Sequence, residues 1–326
     1  MIPILPLVLS VLAAGRSPLP AVPQGGLQDA RVRVVAPALG PEVRAAVGRD
    51  ADRLARVLER RLGRPFPRTV ELHLVPRLGD LPAPIREAFV GMTVGLAELH
   101  EARIWLVRAK LGSAPPDDLR TTLLHELAHV WLGERELALA GGARRLPAWF
   151  HEGFAQYLAG EGYYGGSDEV LATNLAFGRL VAWADLDRAM PRDARDRRLA
   201  YAQSLSYFGY CVGRLGLRAV LATAEAWLAS PGRTLDGILY DREDHTFTEL
   251  EAAWLQWESA GGGLFALVRN HLFEVLMFSS IPLMVLVLRR RNRREAEAGA
   301  RLDREDDEEA VLEATWRELD GTEPRA

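Results

Sequence analysis

The period of the apolar residues changes once along the chain, and that change is the strongest constraint on its fold. In the first third, period two recurs. Val70, Leu72 and Leu74 alternate with Glu71 and His73 over Thr69–Val75, and Arg31–Val35 and Arg103–Val107 (RIWLV) read as two more strands. Between the first two, Pro41 opens a helical segment with Val43, Val47, Leu54, Val57 and Leu58 on one face, and Gly63 closes it. From Pro116 onward the period is helical. It holds over about Asp117–Leu132, Pro147–Ala159, Ser167–Trp183, Arg198–Leu215, Arg218–Leu228 and Thr246–Ser259. A few strands followed by a run of helices predicts an α+β fold, with a small mixed sheet and a mostly helical second half packed on one of its faces. The expected domain covers residues 31–261, with no internal repeat.

Composition narrows the chemistry. Of 326 residues, 48% are hydrophobic and 26% charged, an ordinary globular balance that excludes wholesale disorder. A formal net charge of −4 excludes a nucleic-acid binder that works by neutralising phosphates. The single cysteine, Cys211, excludes an internal disulfide framework and a cysteine-based zinc cluster, and is expected as a small buried apolar residue. Any bound metal must therefore rely on histidine and carboxylate ligands.

Both ends carry apolar runs. Ile2–Ala14 is too short to span a bilayer and matches the apolar core of a secretory signal, with small residues at Ala13, Ala14 and Gly15. No Lys or Arg precedes it, and a buried N-terminal strand or helix is the alternative. We expect a signal peptide over 1–15 and a Pro/Gly-rich linker over 16–30. The second run ends at Leu288, and a transmembrane helix is expected over 264–288. Its core, Leu272–Leu288, would extend about 26 Å as a helix, close to the roughly 30 Å hydrocarbon layer. Arg289, Arg290, Arg291, Arg293 and Arg294 follow at once, which assigns that side to the cytoplasm. The expectation is a single-pass membrane protein with an extracytoplasmic domain and a charged cytoplasmic tail, 289–326. Leu312, Trp316 and Leu319 recur in that tail at helical spacing, which suits a cytoplasmic partner; a solvated tail is the alternative.

The chemistry concentrates at residues 125–129, His-Glu-Leu-Ala-His. His125 and His129 are four apart, so on a helix both imidazoles leave the same face and can hold one Zn2+. Glu126 stands beside the first of them, within reach of a water at the metal. Composition alone yields the bare pattern in about one chain in a hundred, so two idle surface histidines are a real alternative. Their apolar helix argues against it, because idle histidines there would cost stability. A third ligand is also at hand. Pro147 can start a second helix, in whose second turn Glu152 stands, with 22 residues between it and His129. Two histidines and a carboxylate, with a position left for water, make a catalytic zinc site. His151 is the competing ligand, but a helix turns it about 100° from Glu152.

HELAH followed by Trp149-Phe-His-Glu152-Gly153-Phe-Ala155-Gln-Tyr157 resembles the gluzincin metallopeptidases, specifically the bacterial peptidase MA-like family with its W-x-x-E-G-x-A-x-Y motif. The similarity covers about Arg103–Trp257 and is carried by the zinc motifs, 121–157. The resemblance implies a zincin fold, zinc held by His125, His129 and Glu152, and hydrolysis of a peptide or protein substrate with Glu126 as general base. It also implies a donor to the oxyanion from a later helix: Tyr201, with Tyr207 second. Strand Arg103–Val107 would be the edge that pairs with substrate. Gln156 is a candidate partner to a ligand, and Asp185–Arg198 a solvated loop or a lid. Two other functions stay open: a non-catalytic or self-processing zincin domain serving as a scaffold in an envelope complex, and a zinc hydrolase acting on something other than a peptide.

Overall fold

The computed structural model describes residues 30–89, 93–113, 117–160, 167–262, 276 and 278–297. The expected signal peptide, the linker up to residue 29, residues 264–275 and 277 of the expected span, and residues 298–326 of the tail lie outside these.

Four strands form one sheet in the order β1-β2-β4-β3: β1 Val32–Val35, β2 Val70–Val75, β3 Gly95–Glu98 and β4 Arg103–Val107. β1, β2 and β4 are parallel, and β3 runs antiparallel to β4. The three strands read from alternation are present, and the alternation of β2 is real: Val70, Leu72 and Leu74 are buried while Glu71, His73 and Val75 are half-buried. β3 escapes a pattern reading because Gly-Leu-Ala-Glu is short and holds three residues of poor strand preference. Its presence corrects one expectation. β4 is not an edge; it lies between β2 and β3, and the antiparallel edge belongs to β3. On the more open face, the register sets Arg33, Glu71, Arg103 and Glu98 side by side across all four strands. Glu71 pairs with Arg33 and lies 3.6 Å from Arg103, which pairs with Glu98 at 3.0 Å. Such exposed pairs add little stability each, but opposite charges across strands favour this register.

Among the described residues up to Trp257 there are ten α-helices. α1 (Pro41–Leu62) starts on its proline and ends on Gly63 at φ 72°, as the sequence suggests. α2 (Ala83–Ala88) is short and was not expected; near it Leu81, Phe89, Trp105 and Val107 make a small core against one face of the sheet. α3 (Leu119–Ala140) begins on Asp118, whose carboxylate accepts from the Thr121 amide at 2.9 Å. It does not end near Leu132 as expected but runs on through Gly133. A Cβ there would lie 2.5 Å from that of Leu99, so Gly133 serves close packing, and the helix ends at Gly141, φ 59°.

α4 (Ala148–Ala159) follows, then α5 (Ser167–Ala176), α6 (Trp183–Leu186), α7 (Ala194–Leu215), α8 (Leu217–Leu228), α9 (Leu235–Glu243) and α10 (Phe247–Trp257). The helix expected over Ser167–Trp183 is cut short by a turn at Gly178, φ 64°. α7 starts four residues before the expected Arg198 because Asp193 caps it, accepting from the amides of Arg195 and Asp196. α9 was missed: its two buried residues, Ile238 and Leu239, make no stripe.

The described chain divides into two compact units. One joins residues up to 167 with 180–251; the other joins 168–179 with those from 252 onward. The first contains the sheet and every candidate site residue. In the second, 278–297 is helical, and Phe278, Leu283, Met284, Leu286 and Val287 are all exposed. Among the described residues no helix is long and apolar enough to cross a membrane.

Candidate metal centre

α3 is buried on almost every side, so each polar residue in it must be matched by a partner or incur a desolvation cost. Glu134 is met by Arg68, which also donates to the His100 carbonyl at 2.7 Å and ties α3 to the β3–β4 turn. Glu136, fully buried, accepts from the Leu146 amide at 2.6 Å and lies 2.8 Å from His151 Nε2. Of the others, His125 and His129 face Glu152 of α4.

His125 Nε2 lies 3.0 Å from His129 Nε2. Glu152 Oε2 completes the triangle at 3.5 Å from His125 Nε2 and 3.6 Å from His129 Nε2. A tetrahedral zinc ion about 2.0–2.1 Å from each ligand holds its ligand atoms about 3.3–3.4 Å apart, so the three sides fit that ion closely. Glu152 Oε2 is buried and accepts no hydrogen bond. A buried carboxylate oxygen without a donor calls for a cation. Among the described residues, this is the group of His, Cys, Asp and Glu side chains whose ligand atoms converge on one point.

The electrostatics agree. Burial of the Glu152 carboxyl opposes its charge, but the imidazoles of His129 and His125 outweigh burial and hold its pKa below the usual range. Burial lowers the pKa of His125 to about 4. Burial also opposes a charge on His129, yet Glu152, then Glu126 and Glu136, keep its pKa above the ordinary value. The ionised Glu152 carboxylate beside the neutral His125 imidazole suits a cation.

Glu126 projects toward the edge strand, not into the ligand triangle. Its pKa is raised to about 7, by burial first and by the Glu152 carboxylate second, against the pull of His129 and of the Ala97 amide. A carboxyl titrating near neutrality is poised to take and return a proton. Room for it comes from Gly95 on β3, where a Cβ would lie 2.6 Å from Glu126 Oε1 and 2.7 Å from a Leu106 methyl carbon.

α4 is held by α7. A Cβ at Gly153 would lie 2.5 Å from the Ser204 carbonyl and 2.6 Å from Phe208 Cβ, so the glycine after Glu152 lets α7 approach closely. Gln156 donates to the Glu152 carbonyl at 3.2 Å and to the Tyr201 carbonyl at 3.1 Å. It touches the backbone of the ligand residue, not its carboxylate. Tyr201 is half-buried on α7, alongside the ligand helix. Tyr207 is engaged elsewhere: its hydroxyl donates to the Phe247 carbonyl at 2.6 Å, and its ring packs on Trp149 and Trp183. His151 faces Glu136 instead of the triangle, as its angle on the helix implies. Cys211 is buried, and burial lifts its thiol pKa to about 12. Asp185–Arg198 is no open loop throughout, because its last residues belong to α7.

Gly95 and Glu136 were not legible beforehand. The glycine's role depends on a strand that the pattern does not announce, and Glu136 reads as an ordinary charged helix residue until α4 is set beside it. Compared with protein families, curated proteins and solved structures, the chain matches none.

Proposed function

We propose that this chain is a zinc-dependent peptidase in which His125, His129 and Glu152 hold the metal and Glu126 is the general base. His125, His129 and Glu152 would hold a zinc ion, which would supply Lewis acidity to the scissile carbonyl and to water. Glu126 takes the proton of the attacking water on its carboxylate and returns it to the nitrogen of the leaving amine. Its buried position beside the ligand residues suits both halves of that transfer. Tyr201 is assigned to the oxyanion, as a hydroxyl donor from the helix packed beside the ligand helix.

The observation that carries the reading is the pairing of a three-ligand triangle with a buried, space-reserved carboxyl that is not itself a ligand. A purely structural metal site has no use for Glu126 or for the glycine opposite it. Antiparallel β3 beside Glu126 offers the backbone edge to which an extended peptide could add. The test is zinc content and peptide hydrolysis by the purified chain, wild type against Glu126→Gln.

We further propose that the catalytic unit is extracytoplasmic and anchored by one C-terminal helix. The exposed apolar side chains from Phe278 to Leu288, followed by Arg289, Arg290, Arg291, Arg293 and Arg294, support that placement.

A further inference from the structure

Glu136 is fully buried on α3, a costly place for a carboxylate unless donors meet it. Two donors do, one from the approach to α4 and one from α4 itself. The Leu146 amide donates to Glu136 Oε1 at 2.6 Å, and His151 Nε2 lies 2.8 Å from the same oxygen. The carboxylate is the acceptor in both, so His151 carries its hydrogen on Nε2.

These contacts stand next to two of the three ligand residues. On α3, Glu136 follows His129 by seven residues, two turns less about 20°, so both leave the helix on the same side. On α4, His151 immediately precedes Glu152. The His151 ring also lies beside the His129 imidazole, 5.9 Å between centroids and 27° from parallel, which is within the range of ring contact. Glu136 therefore fixes His151, and His151 borders one ligand in space and the other in sequence. An apolar pair would tie the two helices together as firmly as a buried polar one. What the hydrogen bonds add is direction, because they set the plane of the ring beside His129.

We propose that Glu136 and His151 are positioning residues: the pair keeps the His129 imidazole and the Glu152 carboxylate at metal spacing before the ion arrives. This role rests on the metal-binding reading above and deepens it. Neither residue is itself a ligand, since the atoms that converge are those of His125, His129 and Glu152. Ligands already held in place lose less conformational freedom on binding, and the ion is bound more tightly. Supporting residues around a metal site contribute about ten- to a hundredfold in affinity.

The test is competition for Zn2+ between the purified full chain and a chromophoric chelator, with the visible absorption of Co2+ in the same site as a second readout of ligand geometry. His151→Gln sets an amide nitrogen where Nε2 stands, so it keeps the hydrogen bond to Glu136 and loses the ring. Its metal-free melting temperature should match that of the wild type, while zinc affinity falls about tenfold or more and the Co2+ bands shift. Glu136→Met cannot accept from either donor and should weaken zinc by a similar factor. Glu136→Gln can accept from both and should recover most of that loss. Wild-type affinity and bands in His151→Gln overturn the proposal. So does a metal-free His151→Gln that no longer folds, because the ring would then serve the fold. Equal zinc affinity in Glu136→Met and Glu136→Gln also overturns it, because the hydrogen bonds would then not set the affinity. A wild-type chain that takes up neither Zn2+ nor Co2+ would refute the metal site itself, and the role of the pair with it.

Discussion

Gly95 and Glu126 meet so closely that no larger side chain fits between them: a single added carbon at Gly95 would stand 2.6 Å from Glu126 Oε1. The edge strand β3 and helix α3 are fitted to each other around that carboxyl. Gly95→Ala should therefore displace Glu126 more than it disturbs the ligand triangle. We expect hydrolysis to fall about tenfold or more, with zinc content unchanged and a stability cost of roughly 1–3 kcal/mol for overpacking. Paired zinc analysis and turnover measurements check this, and wild-type turnover in the variant would contradict it.

Glu152 Oε2, buried and without a donor, should be satisfied by the metal. Removing zinc with a chelator should lower the melting temperature, and restoring zinc should recover it. An ion at a hundred times its dissociation constant contributes about 2.7 kcal/mol by mass action. In Glu152→Ala the response to zinc should largely vanish. A melting temperature indifferent to zinc in the wild type would count against the site.

The two tyrosines of α7 should separate by phenotype. Tyr207 is committed to the Phe247 carbonyl, so Tyr207→Phe should reduce stability by about 1–3 kcal/mol and leave turnover of the folded protein nearly intact. Tyr201→Phe should do the reverse, lowering turnover roughly a hundredfold with zinc and melting temperature unchanged. A silent Tyr201→Phe would assign the oxyanion donor to another residue.

Glu136 joins the two ligand helices by accepting from Leu146 of the α4 approach while facing His151 of α4. Glu136→Ala would leave the Leu146 amide and His151 unsatisfied in a buried setting. We expect a loss of about 2–4 kcal/mol by denaturant unfolding, larger than for most surface carboxylates. A change below 0.5 kcal/mol, the usual range for surface substitutions, would mean that these contacts do not hold α4.

Local pattern carried much of this architecture. Val70, Leu72 and Leu74 alternate because β2 buries one face, and Pro41 and Gly63 mark the ends of α1 because their backbone preferences suit those positions. The triangle was also legible, since four-residue spacing on a helix and a carboxylate on the next helix are sequence facts. What pattern could not supply lies in contacts between distant segments. Gly133 reads as a helix stop but is a point of contact with Leu99. β3 holds no alternation to read, so β4 looked like the edge. Glu136 is indistinguishable by type from solvent-facing glutamates such as Glu42, yet it is fully buried.

We propose that Glu126 moves the proton beside a zinc ion held by His125, His129 and Glu152. One paired measurement tests it most directly: zinc stoichiometry and peptide hydrolysis of the purified full chain, wild type beside Glu126→Gln. One zinc per chain in both proteins, clear hydrolysis by the wild type and a loss of about a thousandfold in the variant are expected. Absence of zinc from both proteins after zinc-replete expression, or equal hydrolysis by the two, would contradict it.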